Sequence, residues 1–269
     1  NSGSMETVVE NVRSNFEFFI TEFLTLGLDY HMAAITTDMD DGSQSGQIQG
    51  EVLLSSMSSS YVEGNFLSSV DVGSGGSADE EGFNATKAAL TSPLVNGANA
   101  GFLRDYENGE EVGLTIIVVS DENDNSSMDA SSYVTWLKSL KDDPTKARFN
   151  AFIDTGGGDP FGVNYGAKYI EAANSTDGFV TDIYSENYEA AMQEISFAAA
   201  GMVVSFTLER TPMSLSTMKV YANGQEVPQD LYNGWTYDSA SNSLTFHGDS
   251  IPEPGASVTI QYEIETECQ

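Results

Sequence analysis

Apolar residues near the start of the chain recur at intervals of three and four positions. The stripe runs from Val9 to Leu24, and Gly27 follows it. This spacing places the apolar side chains on one face of an α-helix, and glycine is common just after a helix end. The same periodicity predicts four more helices. One begins at Asp79, and the other three cover residues 129–141, 165–174 and 186–200.

A second pattern consists of shorter apolar or alternating runs, which predict β-strands. They cover residues 30–37, 48–54, 114–119, 148–154 and 179–184. The run 114–119 has no polar break except Thr115, as expected for a strand covered on both faces. Residues 55–76 are rich in Ser and Gly, so we predict an extended surface segment there. Strands that alternate with helices predict an α/β fold with a doubly wound, mostly parallel sheet.

The pattern changes near Gly201. Short alternating segments follow one another, separated by turn signals such as Asn223-Gly224. An Asn-Gly pair between apolar runs strongly favours a β-hairpin. We therefore predict two domains, an α/β domain over residues 1–200 and a small all-β sandwich over residues 201–269.

The chain is strongly acidic. It has 10 Lys and Arg against 41 Asp and Glu, a formal net charge of −31. Such a charge repels nucleic acid and anionic lipid and attracts cations, although a solvated acidic surface is the simpler explanation of the composition. No apolar run approaches the roughly 20 residues that span a bilayer. The single cysteine, Cys268, has no partner for an intrachain disulfide.

Oxygen-bearing side chains lie in three loops that the predicted sheet would bring together. Ser2 and Ser4 precede the first helix, Asp121 follows the run 114–119, and residues 73–82 precede the second helix. Ligands of doubly wound sheets bind at the carboxyl ends of the strands. Hydroxyl and carboxylate oxygens suit a hard divalent cation. The structural alternatives are helix capping by the serines and a solvated turn over residues 121–125, above all at Glu122, Asp124 and Asn125.

The motifs Asn-Ser-Gly-Ser-Met at residues 1–5 and Val-Val-Ser-Asp-Glu at 118–122 resemble the metal-ion-dependent adhesion site of von Willebrand factor A domains. The likeness covers about the first two hundred residues. It implies Mg²⁺ or Ca²⁺ held directly or through water, with Asp79 as an outer neighbour. The implied metal ligands are Ser2, Ser4, Ser77 and Asp121, with Ser74 as the second choice for the third position.

The chain departs from that family at its beginning. The first aspartate of the family motif is absent, and so is the strand that precedes it in the family's sheet. The resemblance therefore implies an open position beside residues 114–119, because buried backbone groups need hydrogen-bond partners. We expect an upstream segment or a neighbouring protomer to supply this strand.

The resemblance implies an extracellular or surface-attached bacterial protein that binds a protein or matrix ligand through the ligand's carboxylate. The alternative is a structural subunit of a homo-oligomer or surface filament, held by strand donation, with a vestigial metal site. No acid–base or nucleophile constellation is visible, so we do not expect an enzyme. We interpret His31 and His247 as structural and residues 38–42 as a surface turn. The aromatic residues of the last domain are core residues or, less simply, a glycan-binding face.

Overall fold

The computed structural model describes residues 6–73, 75–156, 165–184, 192, 196, 197, 199, 205–231, 233–239, 242–252 and 256–264. The chain divides into two compact units, Asn1–Ala200 and Gly201–Gln269. Ser2, Ser4, Ser74 and Cys268 lie outside the described residues, and so does most of the predicted helix 186–200. None of the described helices is long and apolar enough to cross a membrane.

The first unit begins with two helices and a small antiparallel sheet. Helix α1 (Glu6–Thr25) leads to strand β1 (His31–Ala34), which pairs antiparallel with β2 (Gln49–Leu54), and helix α2 (Ser59–Val70) follows. The predicted first helix is confirmed. Aromatic contacts join the two helices, with the ring centroids of Phe19 and Phe66 5.3 Å apart.

Helix α2 contradicts the extended surface segment predicted for residues 55–76. Val62 and Phe66, four positions apart, are both buried against the rest of this core. Residues at this spacing lie on one face of a helix. The serines between them conceal the pattern, because serine is common in loops and has only moderate helix propensity.

The second part of this unit is built on a parallel sheet of three strands. In order, these are β5 (Leu114–Ser120), β6 (Ala147–Ile153) and β7 (Val180–Asp182). A short antiparallel hairpin, β3 (Tyr106–Glu107) and β4 (Glu110–Glu111), precedes β5. Three helices accompany the sheet: α3 (Gly82–Ala89), α4 (Ala130–Lys138) and α5 (Ala167–Asn174).

The core of this part is aromatic. Phe149 of β6 contacts the rings of Phe83, Tyr133 and Tyr169, which come from three different helices. All four side chains are at most 1% exposed. Alternation of strands and helices in the sequence thus correctly predicts a mixed α/β fold. The parallel sheet is smaller than predicted, and β1 and β2 form a separate antiparallel sheet.

The second unit contains two antiparallel sheets of three strands each. One has the order β10–β9–β13 (Gln225–Val227, Lys219–Ala222, Val258–Gln261), and the other has the order β11–β12–β8 (Trp235–Asp238, Ser243–Phe246, Ser205–Thr207). The hairpin predicted at Asn223-Gly224 joins β9 to β10, with both turn residues at positive φ. Trp235 is buried, and its indole N–H donates to Val227 O at 3.0 Å.

Candidate functional site

Carboxylates follow the parallel strands at one edge of the sheet. Asp121 comes directly after β5 and is 7% exposed, and Asp154 comes directly after β6 and is 1% exposed. Asp182 ends β7 and accepts a hydrogen bond from the Thr155 hydroxyl. Carboxyl ends of parallel strands share one edge, so the fold collects these oxygens there.

Asp38, four residues beyond β1, is a further buried carboxylate. Its oxygens accept backbone N–H bonds from Asp40 at 2.9 Å, Asp41 at 3.1 Å and Ser77 at 2.9 Å. Burial acts to raise the pKa of Asp38, and the three N–H donors outweigh it, so the pKa lies below the ordinary value of 3.8. Residues 38–42 therefore form a turn, as predicted, but its first carboxylate is buried rather than solvated.

The predicted ligand Ser77 lies beside this turn. Its hydroxyl donates to Asp40 Oδ2 at 2.8 Å and accepts the backbone N–H of Asp79 at 3.1 Å. Asp79 is exposed, so the structure places it next to Ser77 at the surface. Two loops that are far apart in sequence, residues 38–41 and 77–79, thus meet at the end of β1.

Glu80 connects this region to the end of β5. Its side chain is 1% exposed and accepts a hydrogen bond from the hydroxyl of Ser120, the residue before Asp121. The next residue, Glu81, donates its backbone N–H to Thr37 O at 2.9 Å. The sequence placed residues 79–81 in the first turn of a helix, but α3 begins at Gly82 and Glu80 faces the sheet instead.

The position of Asp124 contradicts the solvated turn that was expected there. It is 2% exposed rather than part of a solvated turn. It accepts the backbone N–H of Phe83 at 3.1 Å and the Ser126 hydroxyl at 2.9 Å, and its other oxygen lies 3.6 Å from Lys168 Nζ. Burial raises the pKa of Asp124, although these donors act against it. The residue anchors the loop after β5 to helices α3 and α5.

Two of the four predicted ligands can be placed. Ser77 and Asp121 lie on separate loops, which the bond between Glu80 and Ser120 ties together. Ser2 and Ser4 lie outside the described residues, as does the second choice, Ser74. Sequence reasoning missed Asp38 and Glu80. Asp38 carries the same signal as Asp121, an acidic residue just after a predicted strand, whereas only the folded chain shows that Glu80 points inward.

Both histidines have structural partners. His31 Nδ1 lies 2.6 Å from Gly101 O, and His247 Nε2 lies 2.7 Å from the Thr236 hydroxyl. Within the described residues, no group of three or more His, Cys, Asp or Glu side chains is arranged to hold a metal ion. The predicted site depends instead on hydroxyls and one carboxylate. Hydroxyl and carboxylate oxygens are the kind of ligand that a hard divalent cation binds.

The loop contact between Asp38 and Ser77 predicts a specific acid sensitivity. Because the pKa of Asp38 is lower in the folded chain, its stabilising effect is complete above the ordinary pKa and is lost as the pH falls through the folded pKa. We expect Asp38→Asn to lower the free energy of unfolding by about 1–2 kcal/mol at pH 7 and by less near pH 3. Urea unfolding at several pH values measures this difference, with the exposed Asp105→Asn as control. A difference independent of pH would contradict the assignment.

Comparison of the chain with protein-family models, with curated proteins and with solved structures finds no match.

Proposed function

We propose that this protein is an extracellular binding protein of the A-domain type, which uses a divalent cation to bind a protein or matrix ligand. The observation that carries the proposal is the set of buried carboxylates around the ends of β1 and β5. Asp38, Glu80 and Asp121 are each at most 7% exposed. The support for the proposal comes from this arrangement of buried carboxylates.

The physical reason is the cost of burying negative charge. A carboxylate removed from water loses favourable hydration, which hydrogen bonds or a nearby positive charge must offset. Three N–H donors serve this purpose at Asp38, and Lys168 serves it at Asp124. The formal net charge of −31 adds a long-range attraction for cations. Negative charge at this edge therefore favours the binding of a divalent cation and disfavours an anionic ligand in the absence of a cation.

The proposed ligands are Ser2, Ser4, Ser77 and Asp121, holding Mg²⁺ or Ca²⁺ directly or through water. When bound, the cation supplies a positive charge to which a carboxylate of the partner can bind. Asp121 contributes the negative charge of the site, and Ser77 contributes a hydroxyl oxygen from the neighbouring loop. Glu80 holds the Ser120 hydroxyl and so fixes the backbone just before Asp121.

Finer features of the fold belong to the same proposal. We take the β1–β2 sheet and the β5–β6–β7 sheet to be the two halves of one doubly wound sheet. The link from Thr37 through Glu81 and Glu80 to Ser120 supports this arrangement. We also take the two sheets of the second unit to form a sandwich. The proposed role is binding at a bacterial surface or in a secreted protein, without catalysis.

A cation titration of the 269-residue chain tests the function. A cation that binds only the folded protein raises its free energy of unfolding, by about 2.7 kcal/mol at one hundred times its dissociation constant. We therefore expect the Tm to rise on addition of MgCl₂ or CaCl₂ and to return when EDTA is added. NaCl at matched ionic strength is the control for general screening. A Tm that responds equally to NaCl would contradict the proposal.

A second candidate is a structural subunit of an assembly, held by strand donation. The unpaired edge of β5 favours it, since this strand pairs with β6 alone in the part of the chain that is described. Sedimentation at increasing protein concentration separates the two functions. Self-association that persists in EDTA supports the assembly, whereas a monomer that binds cations supports the adhesion site.

A further inference from the structure

Arg148 has a half-buried side chain whose guanidinium lacks a partner among the described residues. It is the second residue of β6, and its neighbours Ala147 and Phe149 are both buried in the core that α3, α4 and α5 share with the sheet. Because side chains alternate along a strand, Arg148 points to the opposite face of the sheet. In the part of the chain that the structure describes, no hydrogen bond or ion pair reaches its guanidinium.

The other basic side chains that are buried or half-buried, as far as the structure describes them, all have a partner. They are Lys87 over the ring of Trp136, Arg104 at Asp29, Lys138 at Ser175 O, Lys141 at Arg104 O and Lys168 at Ser126 O. Arg148 is the exception, although the chain carries 41 acidic residues against 10 Lys and Arg. A shortage of carboxylates therefore does not explain why this guanidinium is left without one.

The position of Arg148 carries a free-energy cost. A guanidinium that leaves water without a partner loses favourable hydration. Burial accordingly lowers the pKa of Arg148 below its ordinary value, and the carboxylate of Asp177 acts in the opposite direction. Asp177 is exposed, and no ion pair joins it to Arg148 in the described part of the chain. An anion that reached the guanidinium would offset this cost.

Thr115 lies beside Arg148 on the same face of the sheet. The two residues are in register on the paired strands β5 and β6, and the backbones of paired strands lie about 4.8 Å apart. Thr115 is also half-buried, and its hydroxyl makes no hydrogen bond to any described residue. A guanidinium and a hydroxyl are therefore neighbouring donors on this face.

We propose that Arg148 and Thr115 form a binding site for a singly charged carboxylate. The guanidinium presents its N–H donors in a planar fork that matches the two oxygens of a carboxylate. The Thr115 hydroxyl can donate to the same group. A doubly charged phosphate fits less well, because the formal net charge of −31 and the nearby Asp177 repel each additional negative charge.

This carboxylate site is separate from the candidate cation site. Arg148 lies near the start of β6 and Asp154 directly follows its end, so the two are about 20 Å apart along the strand. The inference thus goes beyond the proposed function and does not depend on cation binding. A small molecule and an acidic side chain of a peptide both offer the carboxylate that the site requires.

Titration of the 269-residue chain with sodium acetate, followed by NMR of the arginine Nε–Hε groups, tests the proposal. NaCl keeps the ionic strength constant. We expect a saturable shift at Arg148 and none at Arg104, which Asp29 already binds. Sodium phosphate should bind more weakly than acetate. A blocked Gly-Glu-Gly peptide that binds more tightly than acetate would identify a peptide as the source of the carboxylate, and equal affinity would identify a small molecule.

Arg148→Met removes the guanidinium and keeps the apolar stem of the side chain. We expect it to weaken acetate binding at least about tenfold, because hydrogen bonds to a charged group contribute that much affinity. Arg148→Lys keeps the charge without the planar fork and should restore only part of the affinity. Asp177→Asn should strengthen acetate binding, since it removes a nearby negative charge.

Urea unfolding in acetate-free buffer gives a second readout. Arg148→Met should be at least as stable as the unmodified chain, because it removes a charge without a partner, whereas Arg104→Met should be less stable, because it leaves Asp29 without its partner. If Arg148→Met instead lost as much stability as Arg104→Met, the chain itself would already pair the guanidinium, and the inference would be wrong.

Other results of the titration would also overturn the inference. Shifts that grow linearly with acetate and are equal at Arg148 and Arg104 would show diffuse ion association at the surface. An unchanged acetate affinity of folded Arg148→Met would remove Arg148 from the site. Tighter binding of phosphate than of acetate would contradict the selection of a singly charged carboxylate.

Discussion

Replacing Asp121 with alanine is expected to lower the affinity for Mg²⁺ or Ca²⁺ by at least about tenfold. Loss of groups that merely orient a metal ligand costs 10- to 100-fold in affinity, and loss of the only carboxylate in the donor set should cost no less. Isothermal titration of the purified chain with each cation measures the effect. Asp121 is 7% exposed at the carboxyl end of β5, so the alanine variant removes a charge at the centre of the proposed site.

The matched control for this experiment is Asp105→Asn. Asp105 is exposed and lies before the β3–β4 hairpin, so its loss changes the net charge equally without touching the carboxyl edge. We expect its cation affinity to equal that of the unmodified chain. Equal affinities for the Asp121 and Asp105 variants would mean that the acidic surface holds cations diffusely and that Asp121 is no ligand.

Replacing Phe149 with alanine is expected to lower the free energy of unfolding by about 3–5 kcal/mol. The ring is 1% exposed, and its centroid lies 5.7, 5.4 and 6.0 Å from those of Phe83, Tyr133 and Tyr169. Alanine would leave a cavity among the three remaining aromatic side chains and break the packing between β6 and three helices. Urea denaturation followed by tyrosine and tryptophan fluorescence measures the change.

Phe149→Leu provides the comparison for this core substitution. Leucine retains most of the apolar volume, so we expect a loss of about 1.5 kcal/mol. If both variants were as stable as the unmodified chain, the aromatic cluster would not be the centre of cooperative folding in the first unit. If both lost the same amount, the cost would lie in ring-specific contacts rather than in the cavity.

The parts of the fold that sequence predicts well are those with a local signal. The apolar stripe of α1 predicts a helix and the apolar run of β5 predicts a strand, without reference to the rest of the chain. Helix α2 lacks such a signal, because its buried face consists of only Val62, Phe66 and the polar Ser69. Its stability comes from packing against α1 and β2, which a local pattern does not contain.

The candidate site likewise combines residues whose positions the sequence predicts with residues whose positions it does not. The position of Asp121 follows from its place directly after the apolar run that forms β5, because the strand and the aspartate are adjacent in sequence. The inward orientation of Glu80 and Asp124 is not predictable, because each depends on partners about 40 positions away, namely Ser120 and Phe83. Consecutive acidic residues in a sequence read as a solvated surface until the tertiary contacts are known.

The segment from Ser77 to Glu81 is fastened on both sides: Ser77 binds Asp38 and Asp40, and Glu80 binds Ser120. This short backbone segment is therefore hydrogen-bonded to both loops and connects them. We therefore expect a displacement of the turn at Asp38 to change the free energy of the loop that carries Asp121 as well. The two loops therefore share a coupling free energy, and by thermodynamic reciprocity an event at either one is felt to the same extent at the other.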